Sequence, residues 1–171
     1  MTIFMLVMLF SLVIAGLWNS FPLIKNSVHF ILDPTAGFLL NYNYYVGMFI
    51  IVGIISFITM LVQKYGTDQE TLKKMREEQK FMREEMKKYK DNPEKILELN
   101  KKQLEDMPKL FEITMKPLIY TFVPFVLFFR WFNDYFSATG FKFFGFLSWI
   151  WFYIILSIIF SSIWKKILKV A

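Results

Sequence analysis

The sequence predicts an all-α integral membrane protein with three parts: a three-helix transmembrane core, a cytoplasmic antiparallel coiled-coil hairpin, and an additional N-terminal hydrophobic segment. Three observations predict it. First, 56% of the 171 residues are hydrophobic and 20% aromatic, with 21 Phe, 8 Tyr and 5 Trp. A soluble domain averages about 45–50% apolar residues, so this chain is too apolar for water. Second, no Asp, Glu, Lys or Arg falls in residues 3–18, 34–63, 117–129 or 143–164. Third, the composition inverts between Lys64 and Lys116, which hold 14 of the 20 basic and 12 of the 14 acidic residues. The net charge of +6 therefore belongs to a mixed-sign segment and a basic tail. It is not a basic stripe of the kind that recognises nucleic acid.

Residues 1–44 form an N-terminal hydrophobic segment and an extracytoplasmic connection. The opening stretch MTIFMLVMLFSLVIAGLW resembles the apolar region of a signal peptide. No basic residue precedes it and no small-x-small cleavage site follows, so it reads as retained. About 16 apolar residues are marginal for crossing a bilayer of about 30 Å, and both spanning and lying at the outer side stay open. The turn-like LDPTAG and the interfacial cluster Tyr42, Tyr44 and Tyr45 then lead into the first core span at 45–64.

Residues 65–113 read as the hairpin. Leu72, Met75, Gln79, Met82, Met86 and Tyr89 are spaced 3-4-3-4-3, a heptad seam. The KDNPEK break follows, with Asn92 as N-cap, Pro93 at the first helical position and Glu94 at the positive helix start. The second arm repeats the spacing at Leu97, Asn100, Leu104, Met107, Phe111 and Thr114, and Pro108 should kink it. Met75, Met82, Met86 and Met107 have two readings: a soft surface for varied apolar partners, or simply the seam.

Residues 114–171 hold the second and third core spans and a basic tail. The second, 117–133, is short and interrupted by Pro117, Pro124 and Arg130. The third, 143–164, carries Trp149 and Trp151 near one end and Trp164 at the other. Lys165, Lys166 and Lys169 make the tail basic. Basic residues favour the cytoplasmic side, which puts Asp91 and the tail inside and Thr139 outside.

Some chemistry is excluded. The chain has no Cys and one histidine, His29. Disulfides, thiolate metal sites and Cys nucleophiles are ruled out. No Asp, Glu or His lies within the core spans, which removes intramembrane aspartyl or metalloproteolysis and a carboxylate proton relay. No Walker-type phosphate loop occurs. Neither enzyme activity, a metal nor a cofactor is expected.

The polar residues inside the spans are the candidate site. Ser56, Thr59 and Gln63 share one face of the first core helix. Thr114 and Thr121 share one face of the second, and Tyr153, Ser157 and Ser161 one face of the third. All fall in the cytoplasmic half, where they could line a wet groove. The competing reading is that these hydroxyls bond their own helix carbonyls and mark helix ends. Arg130 is the one ionisable residue within a span. It is either functional or snorkels to the outer headgroups beside Asp134 at i+4.

The order of elements, with the stretch MKPLIYTFVPFVLFFRWF after the hairpin, resembles the YidC/Oxa superfamily of membrane protein insertases over roughly 45–171. Closest in plan are the small archaeal YidC-like proteins, relatives of the insertase subunit of the ER membrane complex. The resemblance implies a hydrophilic groove open to cytoplasm and lipid, and a hairpin that engages nascent membrane proteins or the translating ribosome. It also implies a multi-pass protein of the plasma membrane. The chain departs from bacterial members, which carry a groove arginine on the first core helix. Here there is none between Tyr45 and Gln63, so that role does not pass to Arg130 by position. A membrane-anchored coiled-coil scaffold and a cation channel or small transporter are the other classes considered.

Overall fold

The structure, a computed structural model, describes residues 2–90 and 92–170, with side chains from Met5 onward. Asp91, expected on the cytoplasmic side, lies outside the described residues. The order is α1 (Thr2–Gly16), α2 (Pro22–Leu32), a π-helical turn (Asp33–Gly37), α3 (Phe38–Tyr42), α4 (Tyr44–Gly66), α5 (Gln69–Lys88), α6 (Pro93–Thr139) and α7 (Trp149–Leu168). No strand occurs among the described residues; Phe143 and Leu147 form an isolated bridge in the loop before α7. Among the described residues, three helices are long and apolar enough to cross a membrane: α4, α6 and α7. The chain is an all-helical membrane protein with a three-helix core.

The caps explain where the helices start. The Asn43 side chain accepts from the backbone N–H groups of Tyr45 and Val46 at 2.9 and 3.1 Å, which starts α4 at the tyrosine cluster. Asp68 caps α5 by accepting from Thr71 N–H at 3.0 Å, and Asn92 caps α6 through Lys95 N–H at 3.2 Å. Gly140 ends α6 in the left-handed region, at φ 63°.

α6 is one helix of 47 residues, about 70 Å long at 1.5 Å per residue. The division expected at 113/114 falls inside it. Pro108, Pro117 and Pro124 are all accommodated within the helix. Each proline removes one backbone donor, so the carbonyls of Leu104, Ile113 and Tyr120 lose their i+4 partners without ending the helix.

α5 packs along the first part of α6. Its seam is the expected one: Leu72, Met75 and Met82 are buried and Gln79 and Met86 half-buried, though Tyr89 is exposed. On the second arm the register differs by one residue. Leu99 is 8% exposed, whereas the expected seam residues Leu97 and Leu104 are 71% and 68% exposed, and Met107 and Phe111 are exposed too. Ile96, Leu99, Gln103, Asp106, Leu110 and Ile113 turn inward instead, again at 3-4 spacing.

The tightest packing lies at the end of the core away from the hairpin. Met48, Ile51 and Val52 of α4 meet Trp131, Phe132 and Phe136 of α6 and Tyr153 and Leu156 of α7. Phe143 closes this end, stacking on Phe152 at 4.1 Å between ring centroids. Further along, Gly53 lets α7 approach α4: a Cβ there would lie 3.3 Å from the Phe160 ring. Trp164 donates its indole N–H to the Gly53 carbonyl at 3.2 Å.

Candidate functional site: a cavity between the three spans

With α4 and α7 pinned together at Gly53, α6 faces them across a cavity of about 280 Å³. Ile55, Ile58, Thr59 and Val62 of α4 form one wall. Tyr120, Thr121, Pro124 and Phe125 of α6 form the opposite one, with Phe128, Phe129 and Tyr153 at the end nearer the aromatic core. The cavity therefore lies in the half of the core nearer the hairpin.

Two of the expected groove residues, Thr59 and Thr121, come together here. Their hydroxyl hydrogens are turned away. Thr59 Oγ1 donates to Ile55 O at 2.8 Å, and Thr121 Oγ1 lies 3.4 and 3.5 Å from the carbonyls of Leu118 and Pro117. The wall is consequently almost all carbon. A hydroxyl that has spent its proton keeps its lone pairs, so what polarity the cavity has is accepting.

The other expected residues do not line the cavity. Ser56 is buried on α4. Ser157 is half-buried and donates to Ile154 O at 2.9 Å. Gln63 sits at the end of α4, where its carbonyl accepts from the Gln69 side chain and the Thr67 N–H. Ser161 is half-buried on α7. Thr114 donates to Leu110 O at 2.8 Å, outside the cavity. Met75 and Met82 are seam residues, Met86 is half-buried and Met107 exposed. Lys165 and Lys166 stand in the last turn of α7, and Lys169 follows it with φ 53°.

Arg130 lies at the opposite end, and the expected Arg130–Asp134 pair is not formed. Asp134 Oδ2 accepts instead from Trp18 Nε1 at 2.8 Å and Lys25 Nζ at 2.9 Å, with His29 Nε2 at 3.4 Å. Arg130 stacks over the Trp18 ring, its guanidinium carbon 5.9 Å from the centroid. Its Nε is buried without a hydrogen-bond partner among the described residues. Trp131 next to it donates to Asp33 Oδ1 at 2.7 Å. This polar cluster was missed in the sequence. Its signal was the 4-4 spacing of Lys25, His29 and Asp33, which puts all three on one helix face.

No curated protein and no solved structure matches the chain. The family model for integral membrane proteins described as EMC3/TMCO1-like matches residues 29–146, well over half of the 171. That stretch runs from α2 through α4, the hairpin and α6 into the loop before α7, so it contains both long cavity walls. The chain belongs to the EMC3/TMCO1-like family of integral membrane proteins.

Proposed function

We propose that the protein is a membrane protein insertase or chaperone, the activity with which its family is associated, and that it works without covalent chemistry. Its clients are hydrophobic segments of nascent membrane proteins. Its finer assignment is to the small archaeal YidC-like group of the plasma membrane, with the hairpin and C-terminus cytoplasmic and Lys165, Lys166 and Lys169 meeting lipid or a translating ribosome.

The observation that carries this reading is the cavity shared by the spans, placed in the half nearer the charged hairpin and walled almost wholly by carbon, with Thr59 and Thr121 among its lining residues. An apolar segment entering from that side gains by burial at about 25 cal/mol per Å² of apolar area. Its polar flank meets Thr59 and Thr121, whose oxygens accept hydrogen bonds that hydrocarbon cannot offer. An unmet polar group in hydrocarbon costs several kcal/mol, so each acceptor reduces the cost of passage. Leu97 and Leu104, exposed on the arm of α6 that leads to the cavity, fit a first contact with such a segment.

The test is reconstitution. Vesicles containing the protein should insert a single-span client released by translation, and protein-free vesicles should insert markedly less. Equal insertion in both would remove the insertase reading and leave the scaffold.

A further inference from the structure

The segment between α1 and α4 is partly inverted for an aqueous connection. Lys25 and His29, both half-buried, turn toward α6 and reach Asp134, and Asp33, itself exposed, receives the Trp131 indole N–H. The segment's large apolar side chains turn outward. Leu23 and Phe30 on α2 are 80% and 83% exposed, and Ile31 and Phe38 are also exposed. Leu23, Phe30 and Phe38 fall seven and eight residues apart, along one side of a helical path. A water-facing helix shows the opposite distribution.

The depth of the segment agrees. α4 has 23 residues and rises about 34 Å, slightly more than a hydrocarbon core of about 30 Å. α3 folds against its start so closely that a Cβ on Gly47 would lie 2.5 Å from the Leu39 carbonyl oxygen. Gly47 is three residues into α4, so the α3 backbone sits about 4.5 Å inside that end of the span. Asp33 is tied to Trp131, eight residues or about 12 Å before the end of α6.

We infer that α2, the π-helical turn and α3 lie in the leaflet away from the hairpin, with Leu23, Phe30, Ile31 and Phe38 in contact with lipid acyl chains. Asp134 is the staple that holds their polar side against α6. The chain thus has a lipid-embedded shoulder where the sequence suggested an extracytoplasmic connection. The inference is independent of the insertase reading, because it concerns only where residues 22–42 sit.

Fluorescence quenching tests it, since the chain has no cysteine and single ones can be introduced. Phe30→Cys and Phe38→Cys are labelled with an environment-sensitive dye and reconstituted in phosphatidylcholine vesicles, with and without bromine on the acyl chains. Ile54→Cys, exposed on α4 outside the cavity wall, serves as the lipid-facing reference and Lys90→Cys on the hairpin as the aqueous one. Quenching by brominated lipid at 30 and 38 as strong as at 54, with little quenching by aqueous iodide, is the expected result. Iodide quenching equal to that at position 90 would put the segment in water and overturn the inference. Quenching by neither agent would show a protein partner on this face and overturn it equally. Asp134→Ala should raise iodide quenching at position 30; an unchanged value would remove Asp134 as the staple.

Discussion

Trp18 donates its indole N–H to Asp134 at 2.8 Å, joining positions 116 residues apart. Trp18 is fully buried, and Lys25 shares the same carboxylate oxygen at 2.9 Å. One acid on α6 therefore fixes the two N-terminal helices to the core. Asp134→Asn keeps the size of the side chain but removes the charge that Lys25 and His29 face. Hydrogen bonds to charged groups contribute about 1.5–3 kcal/mol, and partial exposure of this cluster favours the lower end. Limited proteolysis at Lys25 should accelerate in the variant while cleavage in the hairpin stays unchanged.

Gly47→Ala should be harmful out of proportion to its size. The added Cβ would meet backbone atoms of Leu39 and Leu40 at 2.5–2.8 Å, and backbone cannot rotate away as a side chain can. Overpacking of this kind costs about 1–3 kcal/mol. A lowered thermal midpoint in detergent is expected, whereas Gly16→Ala, with nothing within 4 Å of the new atom, should not lower it.

The hairpin register is tested by a matched pair. Leu99→Ala should cost about 2–5 kcal/mol, as large-to-small changes at buried sites do. Leu97→Ala, on the exposed face, should stay within about 0.5 kcal/mol. Protease resistance of the segment from Gln69 to Leu110 reads both. Equal loss in the two variants would restore the register expected from the heptad pattern alone.

The α5 cap gives a pH dependence of known sign. The Thr71 N–H and hydroxyl beside Asp68 hold its carboxyl below the ordinary carboxylate range. A depressed folded value means the cap's contribution is present above the unfolded pKa and lost as pH falls through the folded one. Amide hydrogen exchange at Thr71 should therefore gain an extra acid-side loss of protection that Asp68→Asn lacks.

The three spans and the first hairpin arm were legible because each rests on a local signal: charge-free runs of span length, and Leu72, Met75 and Met82 at heptad spacing. The second arm carries two apolar stripes one residue apart. One runs through Ile96, Leu99, Leu110 and Ile113, the other through Leu97, Leu104, Met107 and Phe111. The heptad reading follows the second, although each holds two polar residues in six: Gln103 and Asp106 in the first, Asn100 and Thr114 in the second. In the fold α6 continues without a break into the membrane, and the first stripe faces α5 even with Gln103 and Asp106 in it. Of the site, Thr59 and Thr121 could be read from their faces and depth. The walls Tyr120, Pro124 and Phe125 could not, because which apolar residues border a cavity depends on how far α6 stands from α4. The Asp134 cluster joins residues about 100 positions apart, and long-range pairing leaves no local pattern beyond the 4-4 spacing at Lys25.

The central claim is that acceptor oxygens in the cavity ease the passage of a client's polar flank. Its most direct measurement is insertion into vesicles of two single-span reporters that differ only in the flank to be translocated, one bearing lysines and serines and the other uniformly apolar. Parent protein is compared with the Thr59→Val, Thr121→Val double variant. These hydroxyls bond within their own helix, so the fold should survive the change; interhelical polar contacts in membranes average only about 0.6 kcal/mol in any case. The account predicts that the variant inserts the polar-flank reporter several-fold less well and the apolar one nearly as well as the parent. Equal insertion of both reporters by variant and parent would contradict it.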